Sequence, residues 1–160
     1  MPRNRKIKWD EKAGTLQNAR RQLPRLVTTY FSRVRETLAN GATHRKLHRL
    51  RLASKRLRYT LELFRPCYPD ALGERLDALK KLQDCLGEVN DAVATAELLR
   101  ASLKRYPEVR KFLDDRAAEQ AAEFARYWNE TFDAPGREAW WTDFLAHRAA
   151  RKVTVPSQRS

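Results

Sequence analysis

The segment from residue 44 to residue 64, HRKLHRLRLASKRLRYTLELF, constrains the fold more than any other part of the chain. At the 100° per residue of an α-helix, its apolar side chains fall within one arc. These are Leu47, Leu50, Ala53, Leu57, Leu61 and Phe64. An apolar stripe of this period predicts an amphipathic helix that packs its stripe against a core.

The other faces of this predicted helix are basic. Beside the apolar arc lie His44, His48, Arg51, Lys55 and Arg58, and on the far flank lie Arg45, Arg49 and Arg56. Residues 44–58 contain seven Lys and Arg and no Asp or Glu. Like charges four residues apart destabilise an isolated helix, so this arrangement indicates a polyanionic ligand that neutralises it.

The positive charge of the chain is regional. Residues 1–60 contain 17 Lys and Arg against 3 Asp and Glu, whereas residues 61–160 contain 16 against 17. A local excess of this kind is an electrostatic footprint for an anionic partner. The candidates are nucleic acid, an anionic membrane surface and an inorganic polyanion.

Helical periodicity continues along the rest of the sequence. Helices are expected over about residues 14–39, 44–65, 71–99, 108–131 and 137–152. Pro24 predicts a kink or a late start in the first helix, Asn40-Gly41 predicts its end, and Thr43 predicts the N-cap of the second. No strand pattern is found, so we predict an all-α antiparallel bundle of four to five helices.

The 160 residues are enough for one domain, expected over residues 13–152. Residues 1–12 are predicted to be a flexible basic arm and residues 153–160 a disordered tail. No apolar run reaches the roughly 18–20 residues of a membrane span, and the N-terminus lacks a signal-peptide pattern. Cys67 and Cys85 lack CxxC spacing, which favours buried thiols in a reduced cytoplasmic compartment.

His44 and His48 have the i,i+4 spacing of a helical metal site. We favour a role for His48 in donating to an oxyanion, because Arg and Lys flank the pair and would repel a cation. The other histidine, His147, is far away in sequence. No metal or cofactor is therefore expected.

The third predicted helix carries a polar stripe beside its leucines. The stripe consists of Gln83, Gly87, Asn90 and Asp91. We expect Gln83, Gly87 and Asp91 to have structural roles, with Gly87 at a close helix crossing and Asp91 accepting hydrogen bonds from an arginine of the second helix. Lys80 and Lys81 add charge at the rim. The stripe contains no nucleophile–base pair, so no catalysis is expected.

Two motifs resemble those of one family. His48-x-x-Arg51-x-x-x-Lys55-Arg56-Leu57-Arg58, followed by Leu82-Gln83-x-x-Leu86-Gly87-x-x-Asn90-Asp91, looks like the CHAD domain, the conserved histidine α-helical domain. The resemblance implies a non-enzymatic helical module that binds inorganic polyphosphate and can associate with polyphosphate granules. By motif match, the binding residues are His48, Arg51, Lys55, Arg56 and Arg58. We expect Arg20 and Arg21 to face the same groove, and His44, Lys80 and Lys81 to be further binding residues.

The chain departs from the family in size. CHAD domains are usually longer and have two similar halves around a basic channel, whereas this sequence carries the motif once. Either a weak, ligand-linked homodimer supplies the second wall, or residues 105–152 fold over the bundle, with Trp140, Trp141 and Phe144 as a cover.

Our prediction from sequence is a cytoplasmic, non-catalytic polyphosphate-binding bundle. The alternative is an RNA- or DNA-binding helical protein, which the scarcity of exposed aromatic, Asn and Gln residues beside the basic helix disfavours. An enzyme acting on phosphate chains would need a metal site or a nucleophile next to the basic face, and the sequence offers neither.

Overall fold

The structure of the protein, a computed structural model, describes residues 8–150. Within that range it is all helical, without a strand, which confirms the predicted fold class. The α-helices are α1 (Thr15–Ala39), α2 (His44–Leu63), α3 (Ala71–Leu98), α4 (Arg100–Leu103), α5 (Pro107–Tyr127) and α6 (Arg137–His147). The tail predicted for residues 153–160 and the first seven residues of the predicted arm lie outside the described residues.

The start of α2 is fixed by its own side chains. Thr43 Oγ1 accepts a hydrogen bond from the backbone N–H of Lys46 at 3.4 Å, as expected for an N-cap. Gly41 adopts a φ of +75° just after the end of α1. Lys46 Nζ donates to the carbonyls of Asn40 at 2.7 Å and Gly41 at 3.1 Å. A lysine on the apolar side of α2 therefore caps the C-terminus of α1.

Two helices differ from their predicted course. α1 continues through Pro24, so the late start considered for it does not occur. The predicted helix over 108–131 stops being α-helical at Tyr127 and continues as a π-helical turn, Trp128–Phe132. The N–H of Asp133 donates to the carbonyl of Trp128, and the rings of Trp128 and Phe132 stack at 5.1 Å. The wider turn places both rings in the core.

The core combines leucines from the α2–α3 pair with aromatic residues from the C-terminal half. As predicted, Leu47, Leu50, Leu57, Leu61, Leu79, Leu82 and Leu86 are buried in one cluster. Trp128 and Phe132 fill the space over α1, where they contact Tyr30 and Phe31. Tyr30 donates to or accepts from Ser54 Oγ at 2.7 Å, and burial raises the pKa of its hydroxyl. These contacts join α1, α2 and the π-helical turn.

The N-terminal half of α5 is less buried than its apolar period predicted. Val109 and Phe112 keep 39% and 65% of their surface exposed. α5 packs mainly against α3, with the π-helical turn and the short α4 as its other neighbours. One partner helix covers only one face, so the apolar residues on the other face stay in solvent.

The residues just before α1 are attached to the bundle. Trp9 stacks on Phe64 with ring centroids 5.3 Å apart, and the N–H of Asp10 donates to Asn18 Oδ1 at 3.0 Å. The expected flexibility of residues 1–12 therefore does not describe this part of the arm. No helix in the described range is long and apolar enough to cross a membrane.

α6 packs along α1 and completes the core on that side. Trp141 is fully buried, and Tyr68 donates a hydrogen bond to the carbonyl of Leu145 at 2.8 Å. Trp140 stacks against Arg75 of α3, with the guanidinium carbon 3.4 Å from the ring centroid. One of the two alternatives above had these residues covering the bundle; in the structure Trp141 and Phe144 are buried in the core and Trp140 is partly buried against it.

A candidate anion-binding groove between α2 and α3

The packing of α2 on α3 places the basic flank of α2 beside the polar stripe of α3. His48 Nδ1 lies 2.7 Å from Asn90 Oδ1. Arg51 Nε lies 3.9 Å from the position that a Cβ on Gly87 would take. Both pairs come from successive turns of two antiparallel helices, and together they define the register of the groove.

The same register extends along the groove. Extending this antiparallel register by one turn from the Arg51–Gly87 contact puts Lys55 level with Gln83, and extending it by a second turn puts Arg58 level with Lys80. Gly87 was predicted at a close helix crossing, and here the residue close to it is a side chain of the binding motif. The groove thus has a basic wall on α2 and a largely uncharged wall on α3.

The basic side chains of this wall are partly buried, and carboxylates neutralise little of their charge. Arg51, Lys55 and Arg58 are all half-buried. Arg58 Nη1 has an ion pair with Glu62 Oε1 at 3.4 Å, whereas no carboxylate of the described residues pairs with Arg51 or Lys55. Half-buried cations without counter-charges repel one another, so an anion placed along the groove would stabilise them.

Two buried donors along this interface have no hydrogen-bond partner among the described residues. They are Gln83 Nε2 and Arg58 Nε. Gln83 is only 8% exposed. An unsatisfied buried donor has a cost of roughly 1–3 kcal/mol, which an acceptor on a ligand can remove. Gln83 was predicted to have a structural role, and its Nε2 is in addition available to donate a hydrogen bond to a ligand.

His48 is oriented by a short polar chain. Asn90 accepts from His48 through Oδ1 and donates from Nδ2 to Asp91 Oδ1 at 3.4 Å, and both contacts require the same amide orientation. Nδ1 of His48 therefore donates to Asn90, and Nε2 is the ring nitrogen left for a ligand; Nε2 donates to an anion only in the imidazolium form, in which both ring nitrogens carry a proton. Asp91 was expected to hold an arginine of α2, but its partner is Asn90, because Asp91 lies on the exposed side of α3.

The groove opens into a cavity at the N-terminus of α2. The cavity has a volume of about 250 Å³ and is lined by His44, Arg45, His48, Val89, Asn90, Val93 and Ala94. His44 and His48 meet there as predicted from their spacing. Within residues 8–150, no group of three or more His, Cys, Asp and Glu is arranged to hold a metal ion.

Three of the predicted binding residues lie elsewhere. Arg56 faces a different groove, between α2 and α1. Arg20 Nη2 donates to the carbonyl of Ala149 at 2.5 Å, and Arg21 Nη1 lies 3.8 Å from Asp10 Oδ2. Both α1 arginines thus contact the ends of the described chain and not the α2–α3 groove, because the α1 turn that carries them packs near the far end of α2.

The two rim lysines differ. Lys80 lies level with Arg58 on the groove side of α3, but its Nζ is 3.2 Å from Asp84 Oδ2. Lys81 Nζ lies 4.3 Å from the ring centroid of Tyr127, on the α5 side. One residue of helical rotation separates them, so only Lys80 can add charge to the groove.

Sequence reasoning gave Asn90 no role as a binding residue, although it belongs to the polar stripe. The signal that could have identified it is the helix pairing: once Arg51 is placed opposite Gly87, His48 falls opposite Asn90. Arg45 also lines the cavity at the N-terminus of α2. It was predicted on the far flank of α2 and is not part of either motif.

Comparison with known proteins gives one match. The CHAD domain family matches residues 4–100, which include all of α1, α2 and α3. No curated protein and no solved structure matches the chain. The matched region contains both walls of the groove.

Proposed function

The chain belongs to the CHAD-domain family, and we propose that it binds inorganic polyphosphate in the α2–α3 groove without catalysing a reaction. The observation that carries the proposal is the pair Arg51 and Lys55. Both are half-buried, and neither has a carboxylate partner among the described residues. Arg51 lies against Gly87, and the helix register puts Lys55 level with Gln83.

The spacing of the basic wall supports a repeating ligand. Arg51, Lys55 and Arg58 follow one another at i, i+4 and i+7, with steps of about 5–6 Å along the helix. Successive phosphates of a chain can each meet one of these cations. Arg51 and Arg58 offer bidentate donor forks, and Lys55 offers a compact charge without that geometry.

The mechanism is the exchange of counterions. Polyphosphate carries condensed cations, and each Arg or Lys that meets a phosphate releases some of them into solution. Affinity should then fall steeply as salt concentration rises, as it does for proteins that bind the nucleic-acid backbone. Gln83 Nε2 adds a hydrogen bond that is less sensitive to salt, and His48 donates to a phosphate oxygen from Nε2 when both of its ring nitrogens carry a proton.

The composition of the site supports binding without chemistry. The Nδ1 of His48 contacts an amide, not a carboxylate that would activate it as a base. The residues that line the cavity at the mouth include no hydroxyl or thiol nucleophile. We extend the proposal to association with polyphosphate granules, where many phosphate chains meet many copies of the protein.

A competition experiment tests the ligand class. The full chain is bound to fluorescently labelled long-chain polyphosphate at fixed ionic strength, and unlabelled polyphosphate or tRNA is added at equal phosphate concentration. We expect polyphosphate to displace the label at a concentration at least tenfold lower than tRNA. Equal or better displacement by tRNA would overturn the proposal in favour of a nucleic-acid-binding protein.

A further inference from the structure

The flank of α2 that faces α1 forms a second groove, separate from the α2–α3 groove. Its volume is about 360 Å³. Its rim carries three guanidinium groups, those of Arg33, Arg49 and Arg56. Its floor is apolar and consists of Leu50, Leu52 and Ala53. We call it the α1–α2 groove.

The three arginines of the α1–α2 groove have no ion-pair partner in the described part of the chain. The groove contains one carboxylate, that of Glu36. Lys46 also lines it, but its Nζ is already bonded to the carbonyls of Asn40 and Gly41. Available positive charge therefore exceeds negative charge at the rim, and an anionic group is the complementary ligand.

The floor distinguishes this groove from the one on the other side of α2. Leu52 keeps 46% of its surface exposed and lies beside the partly buried Ala53. The α2–α3 groove is instead walled by Gln83 and Asn90, with apolar side chains at its mouth, where Val89 and Val93 lie. A polyphosphate chain has no apolar part and would leave Leu52 in water, whereas a hydrocarbon chain would cover it.

The solvent-exposed face of α2 lies between the two grooves. Leu52 and Tyr59 lie seven residues apart on one line of the helix, and Tyr59 is 53% exposed. A single polyanion that crossed from one groove to the other would have to pass over these apolar side chains. Over residues 52–59 these two side chains therefore separate the α1–α2 groove from the α2–α3 groove.

We propose that the α1–α2 groove binds a small amphipathic anion, an aliphatic or aromatic body with one carboxylate, sulfate or phosphate head group. Its volume lies in the range of about 300–1,000 Å³ that is typical of small-molecule sites, which are mostly apolar with a few convergent polar groups. Between Lys46 and Arg56 the α2 wall is about 15 Å long, at 1.5 Å per residue. The head group meets Arg33 or Arg49, and the apolar body covers Leu52 and Ala53.

The test uses decanoate, kept below its micelle concentration, as the probe. Two-dimensional ¹H–¹⁵N NMR spectra of the full chain should show saturable shifts for the amides of Leu52 and Ala53. Decanol, which has the same chain length without the charge, should bind at least tenfold more weakly. Arg33→Ala with Arg49→Ala, and separately Leu52→Ser, should each weaken decanoate at least fivefold, whereas Arg51→Ala should leave its affinity within twofold.

Three results would overturn the inference. The first is a lack of saturable shifts in the α1–α2 groove. The second is equal weakening by Arg51→Ala, which would place decanoate in the α2–α3 groove. The third is binding to vesicles of phosphatidylglycerol but not to free decanoate, which would assign the arginines to a lipid surface. The two grooves are assayed with different ligands, so failure here leaves the polyphosphate proposal standing.

Discussion

The side chain of Arg51 lies over Gly87, with Nε 3.9 Å from the point that a Cβ on residue 87 would occupy. Both residues belong to the motifs that resemble the CHAD family, and the structure shows why they go together. A residue without a side chain on α3 leaves room for the guanidinium on α2. A side chain larger than a methyl group at position 87 would displace Arg51 from the groove.

Substitutions at Gly87 should separate stability from binding. Gly87→Ala places its Cβ at an ordinary contact distance from Arg51, and it removes the helix penalty of glycine, so we expect a gain of up to about 1 kcal/mol in unfolding free energy. Polyphosphate affinity should change less than twofold. Gly87→Leu should displace Arg51 and weaken binding at least fivefold. Urea unfolding and polyphosphate titration measure both effects, and unchanged binding by Gly87→Leu would contradict the assigned contact.

His48 and Asn90 should act as a unit. Asn90 accepts from Nδ1 of His48 and so orients the ring with Nε2 towards the groove, and His48→Ala and Asn90→Ala should therefore lose overlapping contributions to polyphosphate affinity. We expect a coupling of roughly 0.5–1.5 kcal/mol in a double-mutant cycle, the range of a hydrogen bond. Strictly additive losses would show that Asn90 does not position His48.

Arg75 should matter for stability and not for binding. It is 4% exposed, stacks between Trp140 and Phe144, and donates from Nη2 to the carbonyl of Trp140 at 2.8 Å. Burial lowers the pKa of Arg75 to about 10, because its charged form is poorly solvated there. We expect Arg75→Ala to cost roughly 2–4 kcal/mol of unfolding free energy.

Urea unfolding measures the loss at Arg75, with Arg148→Ala as the control because Arg148 is exposed. Polyphosphate affinity of the folded Arg75→Ala protein should be unchanged. A loss below about 0.5 kcal/mol, well under the ~2 kcal/mol of a desolvated cation–π contact, would contradict the stacking role.

A ligand-linked homodimer remains a prediction. Two α2–α3 grooves facing each other would repel through Arg51, Lys55 and Arg58, and a polyphosphate chain between them would remove that repulsion. Mass action then predicts a monomer without ligand and a dimer with it. Sedimentation velocity with and without long-chain polyphosphate checks this, and a monomer in both conditions would rule the dimer out.

The helices and their core could be predicted from the sequence because helical period alone determines which side faces inward. The leucines on the core-facing stripes of α2 and α3, among them Leu50, Leu57 and Leu82, are buried as expected for this reason. Side chains outside the core were harder to place. Arg56 belongs to the motif, but it is one residue after Lys55 and therefore points about 100° away from it, towards α1. Its predicted position on the far flank of the helix agrees with this direction.

The remaining differences depend on tertiary neighbours. The positions of Arg20 and Arg21 follow from where α1 crosses α2, and the sequence of α1 does not contain that information. Lys81 was predicted to lie at the rim with Lys80. Its Nζ lies over the ring of Tyr127 instead, because α5 packs on that side of α3. The sequence of a helix determines the direction in which each side chain points from the helix axis. It does not determine which other helix packs on that side.

The most direct test of the polyphosphate proposal is the affinity of the Arg51→Ala, Lys55→Ala double variant for long-chain polyphosphate, measured by isothermal titration calorimetry over a range of salt concentrations. A matched control, Arg110→Ala with Lys111→Ala, removes the same charge from α5. Each groove substitution should cost on the order of 1–3 kcal/mol and reduce the salt dependence, while the control stays close to the unmodified protein. Equal affinity of the groove variant and the control would contradict the account.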